Sequence, residues 1–253
     1  MTTFSRRDFV FLSSGAAFGN MLVSGLAAAD DAQTDRADDA HAQSPAVAYE
    51  FAESGLVTGE LKPLRHKSIP GFLSAEQIAP HHTAHYGGAL KAFTTIDARF
   101  EESFREGTPI EPAAFDALQR TKSSRGNSVV LHELYFDGLA PKRPDPPEDV
   151  RSAIEKRFAS LDRWADDFLS SAKSAAGWAM LVLHPVNGRL YNVVSDEHAQ
   201  GPMWMAMPLV VIDVYEHAFY IDYQNRKAQY VDKFLDYVDW EEAQKRYRAA
   251  LHA

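Results

Sequence analysis

The chain changes character at Trp178-Ala179-Met180-Leu181-Val182-Leu183, a run of six apolar residues. A short, continuous apolar run of this length is typical of a buried β-strand. Pro185-Val186-Asn187-Gly188 follows, and its Asn-Gly pair favours a tight hairpin turn, so residues 189–194 are the expected partner strand. A third apolar run at residues 208–213 completes a predicted small antiparallel three-stranded sheet.

Apolar residues at helical spacing predict helices on both sides of this sheet. The predicted helices span residues 148–158, 161–175, 215–223, 228–238 and 241–251. Trp164 and Trp240 lie within or beside these apolar patterns, so we assign both side chains to packing rather than to function.

The N-terminal half contains a predicted helical hairpin. Its first helix covers residues 74–104, and Ser74 with Gln77 forms a capping-box pattern that satisfies free backbone amides at the helix start. Pro80 removes a backbone donor from the second turn, which predicts a kink there.

The second helix of the hairpin is predicted at residues 112–136, with a break at 123–127, where serine, glycine and asparagine cluster. The proline-rich residues 138–147 cannot continue a helix and are predicted to be an interdomain linker. The fold class is therefore α+β: an N-terminal helical hairpin domain, residues 59–138, followed by a C-terminal α/β domain, residues 148–253, with the small antiparallel three-stranded sheet.

The first residues predict an export signal. Arg6 and Arg7 form a twin-arginine pair, a weakly apolar run follows, and Ala27-Ala28-Ala29 offers a small-residue cleavage site. A membrane anchor is the alternative, but the glycines within the run make it a poor spanning helix. We expect residues 1–29 to be a cleaved signal peptide, the protein to be periplasmic or otherwise exported, and no stable membrane insertion after cleavage. Residues 30–58 are expected to be a flexible linker.

Charge and cysteine content exclude several classes of function. The 253 residues include 35 acidic and 26 basic side chains, which gives a formal net charge of −9. Lys and Arg carry most of the affinity of proteins for nucleic acids, so nucleic acid is not an expected partner. The absence of cysteine excludes disulfides, zinc–thiolate sites, iron–sulfur clusters and a cysteine nucleophile.

Histidines and an aspartate in three segments are candidate metal ligands. His81 and His85 lie four residues apart on one predicted helix face, and His132 lies on the partner helix of the hairpin. Asp213 ends the third predicted strand, and His217 follows it by four residues. Each feature alone also fits a hydrogen-bonded core histidine, a surface pair or a helix cap. Together, nitrogen and oxygen ligands without thiolate suit iron, manganese or zinc, and redox cycling favours the first two.

Two stretches of the chain, residues 176–183 and residues 212–220 with 223–227, resemble the iron/manganese superoxide dismutases. The segment Asp213-Val214-Tyr215-Glu216-His217-Ala218 is the most specific part of this resemblance. The resemblance covers about residues 60–250 and is closer in the C-terminal half. It implies an enzyme that converts superoxide to dioxygen and hydrogen peroxide, with one iron or manganese ion per subunit of a homodimer.

The same resemblance implies roles for individual residues. It makes the metal ligands His81, His132, Asp213 and His217, with a solvent molecule completing a five-coordinate site. It puts Glu216 at the subunit interface, where it would bond His217 of the partner subunit. His85 and Tyr220 would meet across that interface beside the substrate funnel, which makes both candidate catalytic residues.

Several positions depart from the family pattern. Ala89 stands where the family has a gateway tyrosine, although Tyr86 lies three positions earlier, and Phe136 and Met180 replace two tryptophans. The family has a glutamine beside the metal-bound solvent, supplied from one of two positions in the chain. At the first of these positions this chain has Ser128.

The loop after the β-hairpin offers two replacements for that glutamine. His198 is the first candidate for the group that bonds the metal-bound solvent, and Gln200 is the second. The alternative for His198 is a solvated loop side chain without a role at the site. An imidazole in this role could titrate near neutral pH, whereas an amide could not.

Two other functions stay open at this point. The first is a family relative that binds metal but has lost fast dismutation, which Ala89, Phe136 and Met180 favour. The second is a mononuclear iron oxygenase. Such an enzyme uses two histidines and one carboxylate with several open positions, and the third histidine of this chain argues against it.

Overall fold

The computed structural model describes residues 49–141, 145–201 and 203–251. The predicted signal peptide and the predicted linker as far as residue 48 lie outside these ranges. The linker does not extend to residue 58 as predicted, because a short helix, α1 (Gly55–Thr58), starts within it. Ser54 caps this helix, because its Oγ accepts the Leu56 amide at 3.3 Å. Ser54 is also buried, so the segment belongs to the folded unit.

The first arm of the predicted hairpin consists of α2 (Ala75–Pro80), a π-helical turn (His81–Tyr86) and α3 (Gly87–Glu106). Ser74 caps α2 as predicted, because its Oγ accepts the Gln77 amide at 3.1 Å. The kink predicted at Pro80 takes the form of the π-helical turn. Proline cannot make the usual α-helical hydrogen bond, and a wider turn directly follows it, at the point where the candidate ligand His81 begins.

The second arm, α4 (Pro112–Asp137), is one continuous helix, and the break predicted at residues 123–127 is wrong. Gly126 lies inside the helix, against the ring of Phe93 in α3. A Cβ atom at this position would lie 3.2 Å from that ring, so the glycine permits the two helices to approach rather than ending one of them. The predicted helical hairpin is thus formed by α3 and an uninterrupted α4.

The C-terminal part begins with α5 (Glu148–Phe158) and α6 (Leu161–Ser174), close to the predicted bounds. The start of the predicted linker is hydrogen-bonded to the C-terminal part, because the Ala140 amide donates to the Tyr237 carbonyl at 3.0 Å. Trp164 and Trp240 pack against each other edge to face with ring centroids 5.6 Å apart, and both side chains are buried. This geometry agrees with the packing role assigned from the sequence.

The sheet contains β1 (Trp178–His184), β2 (Arg189–Ser195) and β3 (Met207–Asp213) in the order β2-β1-β3. Both neighbours pair with β1 antiparallel, which confirms the predicted three-stranded sheet and the α+β fold class. Trp178 pairs with Ser195 on one side and with Asp213 on the other. One end of the sheet therefore carries the candidate ligand Asp213 and the start of the connection from β2 to β3.

The last third of the chain is more segmented than predicted. A 3₁₀ turn (Glu216–Ala218) and α7 (Tyr220–Tyr223) follow β3, then α8 (Lys227–Phe234), a second 3₁₀ turn (Leu235–Tyr237) and α9 (Trp240–Ala250). The core fills the space between the sheet and the helices, where Phe168 of α6 stacks on Phe234 of α8 at 6.0 Å. None of the described helices combines the length and the apolar character that a membrane-spanning helix needs.

A polar clasp of Tyr49, Glu242 and Arg246 joins the first described residue to α9. The Tyr49 hydroxyl donates to Glu242 Oε1 at 2.6 Å. Arg246 is fully buried, donates from Nη1 to the Leu209 carbonyl of β3 at 3.2 Å, and lies 3.5 Å from Glu242 Oε1. A buried guanidinium needs such partners, so α9, β3 and the N-terminal segment depend on one another.

Candidate metal centre

Four side chains from four separate elements converge at the end of the sheet. They are His81 of the π-helical turn, His132 of α4, Asp213 at the end of β3 and His217 of the first 3₁₀ turn. Each offers one ligand atom, and these four atoms all lie within 4.8 Å of one another. His81, His132 and Asp213 are buried, and His217 is partly buried. The structure thus brings together the four residues that the sequence selected as candidate ligands.

The three imidazoles face a single carboxylate oxygen. The Nε2 atoms of His81, His217 and His132 lie 3.1, 3.3 and 3.8 Å from Asp213 Oδ2. The other carboxylate oxygen, Oδ1, accepts the amide of Tyr215 at 2.9 Å, and the backbone carbonyl of Asp213 accepts the Tyr230 hydroxyl at 2.9 Å. These bonds fix the orientation of the carboxylate so that Oδ2 points to the histidines.

The protonation states suit metal binding. Burial lowers the pKa of His81, and burial together with the neighbouring His81 lowers the pKa of His132 to about 3. Burial would raise the pKa of Asp213, but hydrogen bonds from His217 and His81 outweigh it and hold this pKa well below its usual range. At neutral pH the cluster therefore contains neutral imidazoles at His81 and His132 beside a carboxylate, which are the forms that bind a cation.

His132 provides the clearest sign that the cluster is built to bind a cation. Its Nδ1 donates to the Ser128 carbonyl at 2.7 Å, so the free electron pair is on Nε2. That Nε2 atom is buried and has no hydrogen-bond partner. A buried acceptor without a partner is unfavourable, and it is satisfied if a metal ion occupies the point on which the four ligand atoms converge. Three imidazole nitrogens and one carboxylate oxygen fit iron or manganese.

Gln77 holds one ligand segment against another, a role that the sequence did not indicate. Its Nε2 donates to the His217 carbonyl at 2.7 Å, and its Oε1 accepts the Ile221 amide at 2.9 Å. The side chain is fully buried, one turn before His81. The predicted capping role of this side chain is therefore wrong, and the Ser74 amide is satisfied instead by Asp222 at 2.7 Å.

His85, Glu216 and Tyr220 lie on the exposed side of the cluster. The His85 ring stacks on the ring of His217 at 3.9 Å and 13°, while Glu216 and Tyr220 are exposed. Burial lowers the pKa of His85, with a further contribution from His217. His85 thus lies next to a candidate ligand and is exposed at the protein surface.

The connection between β2 and β3 places His198 near the cluster and Gln200 away from it. His198 accepts the indole N–H of Trp178 on Nδ1 at 2.9 Å, and its ring lies 6.3 Å from that of His132. The bond from Trp178 means that the His198 ring is not freely solvated, and the Asn127 side chain also holds the His198 backbone by donating to its carbonyl at 2.9 Å. Gln200 is exposed and donates to Glu197 at 2.9 Å, so the structure does not bring it to the cluster.

The bond from Trp178 determines which nitrogen of His198 carries the proton. Because Nδ1 accepts, the neutral ring carries its proton on Nε2 and can donate from that atom. Burial lowers the pKa of His198, which favours this neutral form. The backbone is held in the left-handed region at Glu197 and His198, with φ values of 52° and 58°, and such strain persists only where surrounding contacts maintain it.

The departures from the family pattern change the surroundings of the cluster. Ala89 is buried, and Tyr86 does not replace the missing tyrosine, because its hydroxyl donates to Glu133 at 2.8 Å and accepts the Lys62 amide at 3.0 Å. Phe136 lies 4.9 Å from the His81 ring, and Met180 is buried. Glu133 follows the candidate ligand His132 directly, and it also accepts the Gly55 amide at 2.8 Å.

Comparisons with known proteins agree with this geometry. Residues 146–246 match the family model of the iron/manganese superoxide dismutases, C-terminal domain. The chain is 30% identical over 195 residues to superoxide dismutase (Mn) 2 of Haloferax volcanii, covering 76% of this chain and 96% of that protein. It is 33% identical over 197 residues to superoxide dismutase (Fe) of Cupriavidus metallidurans, covering 76% and 98%. For superoxide dismutase (Fe) of Aquifex aeolicus, the identity is 32% over 194 residues, covering 75% and 91%.

Proposed function

We propose that this chain, which belongs to the iron/manganese superoxide dismutase family, is itself an active dismutase with one iron or manganese ion per subunit. The observation that carries the proposal is the convergence of three imidazole Nε2 atoms on Asp213 Oδ2, with the Nε2 of His132 buried and unpartnered. Iron and manganese are proposed alike, because both accept this ligand set and availability decides occupancy.

The proposed reaction converts two superoxide anions and two protons to dioxygen and hydrogen peroxide. When bound, the ion would supply a one-electron couple that is reduced by one superoxide and oxidised by the next. His81, His132, Asp213 and His217 would hold it. The negative charge of Asp213 favours the more highly charged state of the ion, and its burial keeps that charge unscreened.

We assign the proton-donating position beside the ion to His198. The support is the bond from Trp178, which leaves the proton of His198 on Nε2, and the short distance between the His198 and His132 rings. Replacing His198 by Gln is expected to shift the midpoint potential and to alter the pH dependence of turnover, because a titratable donor becomes a neutral one. Gln200→Ala is the matched control, and the assignment is wrong if only the control changes both quantities.

We propose that the chain forms a homodimer through the surface that carries Glu216, His85 and Tyr220. His85 stacks on the partly buried His217, and the exposed Glu216 and Tyr220 lie one and three positions from it in the chain. A two-fold axis there would let Glu216 bond His217 of the partner subunit. Glu216→Ala is expected to weaken the dimer and to lower metal content together. Sedimentation and metal analysis on one sample test this, and a tight, fully metallated mutant dimer contradicts it.

We also propose export by the twin-arginine route, on the strength of Arg6, Arg7 and the alanines at 27–29. Substitution of both arginines by lysine is expected to leave the protein in the cytoplasm of its host. Fractionation with N-terminal mass analysis measures this. Unchanged processing of the lysine variant contradicts the proposal.

The decisive experiment measures metal content and superoxide consumption on the same purified sample. The dismutase proposal expects about one iron or manganese ion per subunit and a rate that rises in proportion to metal content. The second candidate is a metal-binding relative without fast dismutation. It predicts full metal content and a rate of superoxide consumption close to the uncatalysed rate in buffer. The buried Ala89, together with a Tyr86 hydroxyl directed to Glu133, is the observation that favours this second candidate.

A further inference from the structure

Apolar side chains project into solvent at the end of the sheet remote from the metal cluster. Val186, in the turn between β1 and β2, is 72% exposed, and Trp204 and Met205 are 89% and 71% exposed. Leu183, near the end of β1, pairs with Met207, the first residue of β3, so the turn and the last part of the β2–β3 connection lie at the same end of the sheet, on either side of β1. We refer to Val186, Trp204 and Met205 as the apolar tip.

The backbone of the tip is held in an unusual conformation. Met205 has a φ of 69°, in the left-handed region that residues other than glycine rarely adopt. A turn in which the Ala206 amide donates to the Met203 carbonyl at 3.1 Å encloses it. Singly exposed apolar residues are common, but a tryptophan beside a methionine, both largely exposed on a constrained turn, indicates a surface that binds something.

Cations lie next to the β1–β2 turn, which carries Val186 of the apolar tip. Lys156, Arg157 and Arg189 line a hollow between α5 and the β1–β2 turn. Within the described residues, neither Lys156 nor Arg189 has an ion-pair partner, whereas Asp149 in the same hollow is bound to Arg248 at 2.9 Å. This surface therefore carries excess positive charge on a chain whose formal net charge is −9.

We propose that the apolar tip and the neighbouring cations bind the surface of an anionic lipid bilayer. Tryptophan favours the boundary between headgroups and acyl chains, and Lys and Arg are attracted to anionic headgroups. The size of the surface argues against a protein partner. The three side chains can bury roughly a few hundred Å² of surface, whereas a stable protein interface buries about 1,000 Å² or more. The binding is peripheral and does not depend on the dismutase proposal.

The absence of cysteine allows a local test on the whole protein. Met205→Cys, labelled with an environment-sensitive fluorophore, reports on the tip, and a labelled Glu106→Cys at the end of α3 is the matched control. The probes are phosphatidylcholine vesicles with and without phosphatidylglycerol. We expect the fluorescence of the label at 205 to increase with vesicles that contain phosphatidylglycerol and not with pure phosphatidylcholine vesicles. The label at 106 should respond to neither, and high salt should reverse the increase at 205.

Variants identify the groups that bind. Arg189→Gln and Lys156→Gln are each expected to weaken vesicle binding about fivefold, the effect of one cation near an anionic surface. Trp204→Ser is expected to weaken it further, while Phe104→Ser, an exposed apolar position elsewhere, leaves it unchanged. No response of the label at 205 at low salt, or an equal response to neutral vesicles, overturns the proposal. A response that depends on protein concentration without vesicles overturns it in favour of a protein contact.

Discussion

The two ends of the three-stranded sheet differ in what they leave without a partner. At the end formed by Trp178 and Asp213, polar side chains are buried and one imidazole nitrogen, Nε2 of His132, lacks a hydrogen bond. At the opposite end, His184 Nδ1 is also buried without a hydrogen bond, but among the described residues it belongs to no group of candidate ligands. There the apolar side chains are exposed, and nothing in the described chain covers Trp204. Each end thus presents groups whose chemistry is unsatisfied within the chain. An unmatched buried electron pair indicates a cation, and an uncovered aromatic ring beside cations indicates a lipid surface.

The connection between β2 and β3 contributes to both ends. Its first part contains His198, held by Trp178 and Asn127, and its last part contains Trp204 and Met205. Both sections contain residues other than glycine in the left-handed region, at His198 and at Met205. Strain of this kind marks positions where the conformation matters more than its local cost.

The largest effect is expected from Asp213→Ala. This change removes the only carboxylate of the cluster, so metal content should fall to background and the dismutation rate by at least about 100-fold. Metal analysis with rate measurement on the purified variant tests it. Trp240→Leu is the control and should lower the melting temperature more than the metal content, because its ring packs on Trp164. Full metal content and rate in Asp213→Ala would refute the four-ligand assignment.

The metal-free protein should lose stability as the pH falls below about 6.5. The pKa of His81, His132 and His198 is lowered in the folded state, so the unfolded chain takes up protons first and the free energy of unfolding decreases. For His132, with a folded pKa of about 3, the loss extends from pH 6.5 down to that value. At pH 5 it amounts to about 2 kcal/mol for this one group.

Denaturant unfolding of the chelator-treated protein between pH 7 and 5 measures this loss. Variants of the apolar tip should show the same slope as the parent protein, because the tip contributes none of these histidines. A flat profile between pH 7 and 5 is incompatible with buried neutral histidines in the folded state.

A smaller effect is expected from Gln77→Met. The substitution keeps the buried volume but removes the bonds to the His217 carbonyl and the Ile221 amide, so metal affinity should fall by roughly 10-fold. The visible spectrum of the metallated protein should shift, which a loss of stability alone would not cause. Gln200→Met makes the same substitution at an exposed position and should leave the metal affinity and the visible spectrum unchanged. An unaltered spectrum with reduced stability would assign Gln77 to the fold alone.

The smallest effect is expected from Trp204→Ser in the absence of membranes. Because the ring is 89% exposed, its removal should change the free energy of unfolding by less than about 0.5 kcal/mol and leave the rate unaltered. Thermal unfolding and rate measurement test this. A large loss of stability would mean that Trp204 packs within the fold, and the contrast between the two sheet ends would disappear.

The sequence predicted the sheet and the convergence of the four candidate ligands for identifiable reasons. Continuous apolar runs and the Asn-Gly pair at 187–188 are local signals, and they set the strands and their turn. The motif at 213–218 carries two of the candidate ligands, and the predicted helical hairpin made His81 and His132 candidates as well. The family resemblance then selected these four as the ligand set and left out His85.

Other features were not predictable because they depend on contacts between distant segments. Gln77 bonds residues that follow it by 140 or more positions, and nothing near it in the sequence indicates those partners. Gly126 has the local character of a helix break, yet it lies within a continuous α4, where it leaves room for the ring of Phe93 in α3. The π-helical turn follows from Pro80, but proline alone does not specify whether a helix bends, ends or widens.

The polar clasp of Tyr49, Glu242 and Arg246 affects the order of folding. It joins residues 193 positions apart, so its closure costs chain entropy and cannot occur until α9 has been synthesised. All four residues of the metal cluster precede Trp240, the first residue of α9. All four candidate ligands are therefore synthesised before α9, and the clasp can close only after the residues of the cluster are present.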